Sequence, residues 1–133
     1  MTAQAILESY YGERTPKDIY SGKESYNLFG IKGVSENGYV ECWTREWDPI
    51  TKDYILIRTR FRAYFDYESS FADYVILISS SPRYKEALKC LNDPKRYIYE
   101  LWKAGYATDP KYLDKILKLM DQVNSIPVIL LKL

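Results

Sequence analysis

The chain has 133 residues, 47% hydrophobic and 28% charged, which is enough for one compact core and ordinary for a globular protein. Its 19 Lys and Arg nearly balance 18 Asp and Glu, and no basic tail or stripe forms, so nucleic acid is not expected as a partner. There is no histidine, which excludes Ser/His/Asp triads, Cys/His dyads and imidazole-held zinc and leaves carboxylates as the chief acid and base candidates.

Ala3, Ile6, Leu7, Tyr10 and Tyr11 recur at helical spacing, with Thr2 available as an N-cap and Gly12 as a stop, and predict a short first helix. From Glu13 to Gly38 the chain is rich in Gly, Ser, Asn and Lys around one apolar knot, Leu28, Phe29 and Ile31; neither period persists, and an ordered surface loop is expected. Tyr39 to Trp47 and Tyr54 to Tyr64 read as the two strands of a β-hairpin, with the turn signal Asp48-Pro49 through Lys52-Asp53 between them.

Three or four helices follow. Ser69 is placed to cap a run with Phe71, Tyr74, Val75 and Ile78, and Pro82 opens a segment with Ala87, Leu88 and Leu91. Asp93-Pro94 and Asp109-Pro110 each fit an N-cap followed by proline at the first helical position, and Gly105 sits where a C-terminal cap belongs. The last helix carries Tyr112, Ile116, Leu119 and Met120 on one face, and Pro127 ends it. Val128 to Leu131 read as a docked strand or an interaction surface. The fold class is α+β, mostly helical with one hairpin and no internal repeat.

Cys42 and Cys90 lie 48 positions apart without CxxC spacing, so they predict no metal knuckle; they either pair or remain two buried thiols. No metal or other cofactor is expected. No charged and apolar export signal precedes Thr2, and the longest apolar run, Pro127 to Leu131, is too short to insert in a membrane. Nothing in the sequence sets an oligomeric state.

Glycoside hydrolysis ordinarily needs two carboxyls flanking one bond, the first protonated and the second ionised. Glu8 suits the first role. It sits near the C-terminal end of the first helix, where the macrodipole disfavours an anion, and Leu7, Tyr10 and Tyr11 would partly desolvate it; both effects raise its pKa. On spacing alone, a solvated helix glutamate without a task is the commoner outcome. For the second carboxylate the hairpin offers Glu41, on a face with Tyr39, Trp43, Arg45 and Trp47, and Glu46, on a face with Val40, Cys42 and Thr44. Periodicity does not say which face looks toward Glu8.

The strings Ala3-Gln4-Ala5-Ile6-Leu7-Glu8-Ser9 with Gly12, and Tyr26-Asn27-Leu28-Phe29-Gly30-Ile31-Lys32-Gly33, resemble the glucosaminidases of glycoside hydrolase family 73. Thr44-Arg45-Glu46 resembles the family's strand motif, Phe61-Arg62-Ala63-Tyr64 with Ser70, Asp73 and Tyr74 its hairpin-to-helix segment, and Gly105-Tyr106-Ala107-Thr108-Asp109-Pro110 with Tyr112 its C-terminal motif. The match runs in order from about Ala3 to Ile126. Where Gly-Trp usually follows Glu-Ser in the family, this chain has Tyr10-Tyr11, and the family's domain normally begins earlier.

The resemblance implies a lysozyme-like fold whose hairpin flanks the cleft, with residues 1–126 as an N-terminally short catalytic domain and 127–133 as an apolar tail. It implies peptidoglycan glycan strands as substrate, cleavage between N-acetylglucosamine and N-acetylmuramic acid, and action at the cell wall or outside the cell. It also implies Glu8 as the acid, Glu46 as the second carboxylate on a mobile hairpin, and Tyr106 near the 2-acetamido group. Tyr64 is a further candidate for substrate contact. Asn27 would bind a sugar amide or stabilise its own turn, Trp43 and Trp47 would stack on sugars or pair across the hairpin, and Asp73 would face the cleft or pair with an arginine. The rival readings are a non-catalytic glycan-binding module and a lytic transglycosylase-like lysozyme.

Overall fold

The computed structural model describes residues 2–9 and 12–125. In chain order these form α1 (Thr2–Ser9), β1 (Tyr39–Asp48), β2 (Asp53–Arg62), α2 (Tyr67–Ser80), α3 (Lys85–Leu88), α4 (Pro94–Lys103) and α5 (Tyr112–Ser125), with a 3₁₀ turn at Pro82–Tyr84 before α3. The expected tail at Val128 to Leu131 and the expected helix positions Tyr10 and Tyr11 lie outside the described residues. No helix among the described residues is long and apolar enough to cross a membrane.

Helix α1 is short and packs against α5, so its own face matters more than its propensity. Ala3 and Ala5 are buried, and Ser9 closes the helix by bonding back to the Ala5 carbonyl while its Oγ accepts the Gly12 amide at 2.9 Å. Gly12, at φ +83°, turns the chain out, as a stop residue should. The bounds of α1 put Thr2 inside the helix rather than ahead of it.

Leu28, Phe29 and Ile31 bury against Tyr74, Ile78 and Ile98, and this core lies under the helices rather than under the hairpin. A smaller cluster, Val40, Phe61 and Ala63, seals the hairpin's base. The strands pair antiparallel in the register Tyr39↔Arg62 to Asp48↔Asp53, and the loop at Lys32 bridges to Phe61. Arg62 N–H donates to the Ile31 carbonyl at 2.9 Å and Gly33 N–H to the Arg60 carbonyl at 3.0 Å, so the long loop runs beside β2 like a partial third strand.

Three further helix starts differ in detail from the sequence reading. Asp66, not Ser69, caps α2: its carboxylate accepts both the Ser69 amide at 2.8 Å and the Ser69 hydroxyl at 2.6 Å. A charged acceptor three residues ahead outcompetes a hydroxyl inside the first turn. Pro82 opens the 3₁₀ turn, and the helix proper waits until Lys85. Asp93 caps α4 as expected, accepting the Arg96 amide at 3.2 Å, but α5 begins at Tyr112 rather than at Pro110. Asp109 instead receives the Lys111 amide, a lysine and a tyrosine hydroxyl. Gly105, at φ +86°, ends α4, with the Tyr106 amide reaching back to the Leu101 carbonyl at 3.0 Å. Cys42 and Cys90 are free and half-buried.

Candidate active site

Gln4 and Glu8 are four residues apart, so they share one face of α1. Gln4 is fully buried and fixes that face: its side-chain oxygen accepts the Tyr74 hydroxyl at 2.5 Å and its amide donates to the Tyr112 hydroxyl at 3.3 Å. Tyr74 bonds onward to Tyr97 at 2.7 Å. One turn along, Glu8 projects into a cleft of about 780 Å³ whose walls include Phe29, Lys32, Glu46, Tyr106 and Tyr112.

The Glu8 side chain keeps an opening to solvent, while the cleft walls displace most of the water around its carboxyl. Burial is therefore the largest cause that pushes its pKa up, from 4.5 to about 7, and the nearby charge of Glu46 adds to it against the pull of Lys115 and Lys32. The direction agrees with the sequence expectation. The main cause is the cleft, an environment made by tertiary packing.

Glu46 stands across this cleft, and Glu41 does not line it. Lys32 meets Glu46 at 2.8 Å and compensates its charge, whereas Glu41, on the opposite strand face, pairs with Arg60 at 3.3 Å and Arg58 at 3.8 Å. Thr44 on the same strand face lies 3.5 Å from Glu46. The backbone of Gly30 approaches Glu8 so closely that a Cβ there would stand 3.1 Å from Glu8 Oε2, and its φ of +64° suits glycine. The loop Asn27 to Gly33 thus makes room for one carboxyl and supplies the cation for the other.

At the floor, Tyr106 packs among Tyr74, Tyr84 and Tyr112, and its buried hydroxyl has no hydrogen-bond partner among the described residues. Burial pushes its pKa well up, so it stays protonated and able to donate. Arg83 holds the preceding turn by donating to the carbonyls of Ala104 at 3.2 Å and Gly105 at 2.7 Å. At the hairpin's far end, Tyr54 donates to Asp109 at 2.9 Å, and Lys115 holds the other oxygen of Asp109 at the same distance. Trp47 packs edge-on against Tyr54, its cross-strand partner. Trp43 lines the cleft and is 56% exposed.

Three residues expected to touch substrate lie elsewhere. Asn27 is fully buried, with its amide donating to the carbonyls of Ile31 and Arg62, both at 2.9 Å, and its oxygen accepting the amides of Phe29 and Ile31. Every polar atom of that side chain is used: three bonds stabilise its own loop, the other outcome the sequence left open, and the bond to Arg62 ties that loop to the hairpin. Tyr64 is buried and donates to Asp73 at 2.5 Å, and Asp73 also pairs with Arg62 at 2.9 Å. Neither Tyr64 nor Asp73 lines the cleft; together they tie the end of β2 to α2.

The family model described as mannosyl-glycoprotein endo-beta-N-acetylglucosaminidase matches residues 1–125. The chain belongs to this glucosaminidase family. It is 33% identical over 124 residues to the peptidoglycan hydrolase FlgJ of Vibrio cholerae, covering 93% of this chain and 36% of that protein. To the exo-glucosaminidase LytG of Bacillus subtilis it is 34% identical over 128 residues, covering 92% of this chain and 42% of that one. The chain thus spans less than half the length of these curated relatives. A solved peptidoglycan hydrolase mutant from Sphingomonas sp. A1 superposes with a TM-score of 0.76 at 38% identity, over 88% of this chain and 74% of that chain. The α+β architecture is the lysozyme-like fold of these glycoside hydrolases.

In this member of the glucosaminidase family the sequence reading missed the supporting residues: Lys32, Lys115, Arg83, Tyr54 and Gln4. Lys32 and Gln4 lie inside quoted motifs, and a polar residue among apolar ones was the available signal. Tyr54 and Arg83 carry no local signal, because their partners are more than 20 residues away, and Lys115 reaches six residues back to Asp109 in the turn before its helix.

Proposed function

We propose that the chain cleaves the β-1,4 bond between N-acetylglucosamine and N-acetylmuramic acid within peptidoglycan strands, with Glu8 as general acid and Glu46 as the second carboxylate. The observation that carries this reading is the pair itself: one carboxyl whose pKa is pushed up to about 7, facing another compensated by a lysine, across a single cleft. Two carboxyls in unlike environments are what acid and base roles require.

Protonated Glu8 gives its proton to the glycosidic oxygen as the bond from that oxygen to the anomeric carbon breaks. Positive charge builds on the sugar and is stabilised by the Glu46 carboxylate. A water attacks the anomeric carbon and passes a proton to a carboxylate, leaving N-acetylglucosamine as the new reducing end. The Tyr106 hydroxyl, buried and without a partner among the described residues, supplies a donor for the 2-acetamido carbonyl, which also satisfies a group otherwise costly to bury. Trp43 offers an exposed aromatic face for a sugar ring.

The test is to incubate the protein, Glu8→Gln and Glu46→Gln with purified peptidoglycan and to identify new ends by mass spectrometry. Internal fragments with N-acetylglucosamine reducing ends from the unaltered protein, lost in Glu8→Gln, are expected. Anhydro-muramic ends, binding without release, or full activity in Glu8→Gln would each overturn the reading.

A further inference from the structure

Six cationic side chains line the cleft, Arg14, Lys32, Arg45, Arg62, Arg83 and Lys115, against three acidic ones, Glu8, Glu46 and Asp109. The chain as a whole carries only +1, so positive charge is concentrated where substrate would lie. Much of it is already engaged: Lys32 by Glu46, Arg62 by Asp73 and Lys115 by Asp109. Arg45 and Arg83 have no acidic partner among the described residues. Arg83 spends donors on two backbone carbonyls. Arg45 makes none of those bonds; its guanidinium lies 4.5 Å over the Tyr54 ring, and that ring is held in turn by Asp109.

A guanidinium stacked on a fixed aromatic face keeps its N–H edge free and aimed, and two parallel N–H groups match a carboxylate. Arg45 shares its strand face with Trp43 and Trp47, opposite to that of Glu46, and it is exposed and lines the cleft beside them. The acetylated sugars of a peptidoglycan strand are uncharged, and the lactyl carboxyl is consumed in the amide bond to the stem. The anions along such a strand are the carboxylates of its peptide stems. Resting on the peptidoglycan reading above, we propose that Arg45 is a specificity residue that binds a stem-peptide carboxylate, so that the enzyme prefers strands bearing charged stems.

The experiment compares peptidoglycan treated with hydrofluoric acid, which removes phosphate polymers, with the same material after its carboxyls are converted to carboxamides by carbodiimide and ammonium. The unaltered protein is expected to show a KM about three- to tenfold lower on the charged material at low ionic strength, with the gap shrinking in salt. Arg45→Gln brings the ratio close to one. Arg58→Gln, an arginine of the same hairpin outside the cleft, keeps it. Equal use of both materials, or a ratio that survives Arg45→Gln, overturns the proposal. A preference seen only before the acid treatment also overturns it, by assigning the anion to a phosphate polymer. If neither material is cut, the hydrolase reading fails on its own, and co-sedimentation of Glu8→Gln and Glu8→Gln/Arg45→Gln proteins with the two materials still decides whether Arg45 reads the stem.

Discussion

Replacing Glu8 by Gln should make the protein more stable in alkali and leave it unchanged in acid. The folded state holds the Glu8 proton up to about pH 7, whereas the group ordinarily releases it at 4.5. A carboxyl whose folded pKa is raised contributes its full stability below 4.5 and loses it as pH rises to about 7. At about 1.4 kcal/mol per pH unit the ceiling is ~3.4 kcal/mol, and access of water through the cleft mouth reduces it to roughly 1–2 kcal/mol. Gln, neutral at every pH, escapes that loss. For a chain of this size roughly 3–5 °C accompanies each kcal/mol, so thermal unfolding at about pH 8.5 should show Glu8→Gln melting roughly 3–10 °C higher. The two proteins should coincide at about pH 4. A difference that is flat with pH, or a Gln variant less stable in alkali, would refute the claim that burial holds Glu8 protonated. The same proton governs turnover, so the activity of the unaltered protein should fall on the alkaline side of about pH 7.

Three further substitutions probe the groups around this carboxyl. Gly30→Ala places a Cβ 3.1 Å from Glu8 Oε2 at a φ of +64°; strain of about 1–2 kcal/mol should lower the melting temperature, and kcat should drop at least about tenfold as the acid is displaced. Tyr54→Phe removes the 2.9 Å bond to Asp109, worth about 0.5–1.5 kcal/mol, so amides at the hairpin tip should exchange severalfold faster by mass spectrometry and kcat/KM should fall. Unchanged exchange would mean that this bond does not hold the hairpin down. Gln4→Met leaves the Tyr112 hydroxyl without its partner and strips one from Tyr74, and should cost about 1–3 kcal/mol by denaturant unfolding.

Most of the architecture was legible because its signals are local. The alternation of Tyr39 to Trp47 and Tyr54 to Tyr64, the Asp93-Pro94 start and the Gly105 stop each act within a few residues, and the structure realises them. The start of α5 was misplaced because Asp109 spends its carboxylate on Tyr54, 55 positions away, and on Lys115 as well as on its own turn. Tyr64 and Asn27 sit in quoted motifs yet face inward, since a motif records that a residue matters to the domain and not whether it matters to substrate or to packing.

By itself, then, the sequence narrowed the chemistry available: without histidine the chief acid candidates were carboxyls, and Glu8 lay in a motif whose family resemblance implied it as the acid. It also determined that Glu41 and Glu46 point to opposite faces of one strand, because a strand's period is two. Only the tertiary structure decided between those faces. Folding the loop along β2 brings Lys32 to Glu46 and Gly30 against Glu8, and it crowds the Glu8 carboxyl with elements remote in the chain. Desolvation and charge–charge interaction depend on distance in space, which no spacing along the chain encodes.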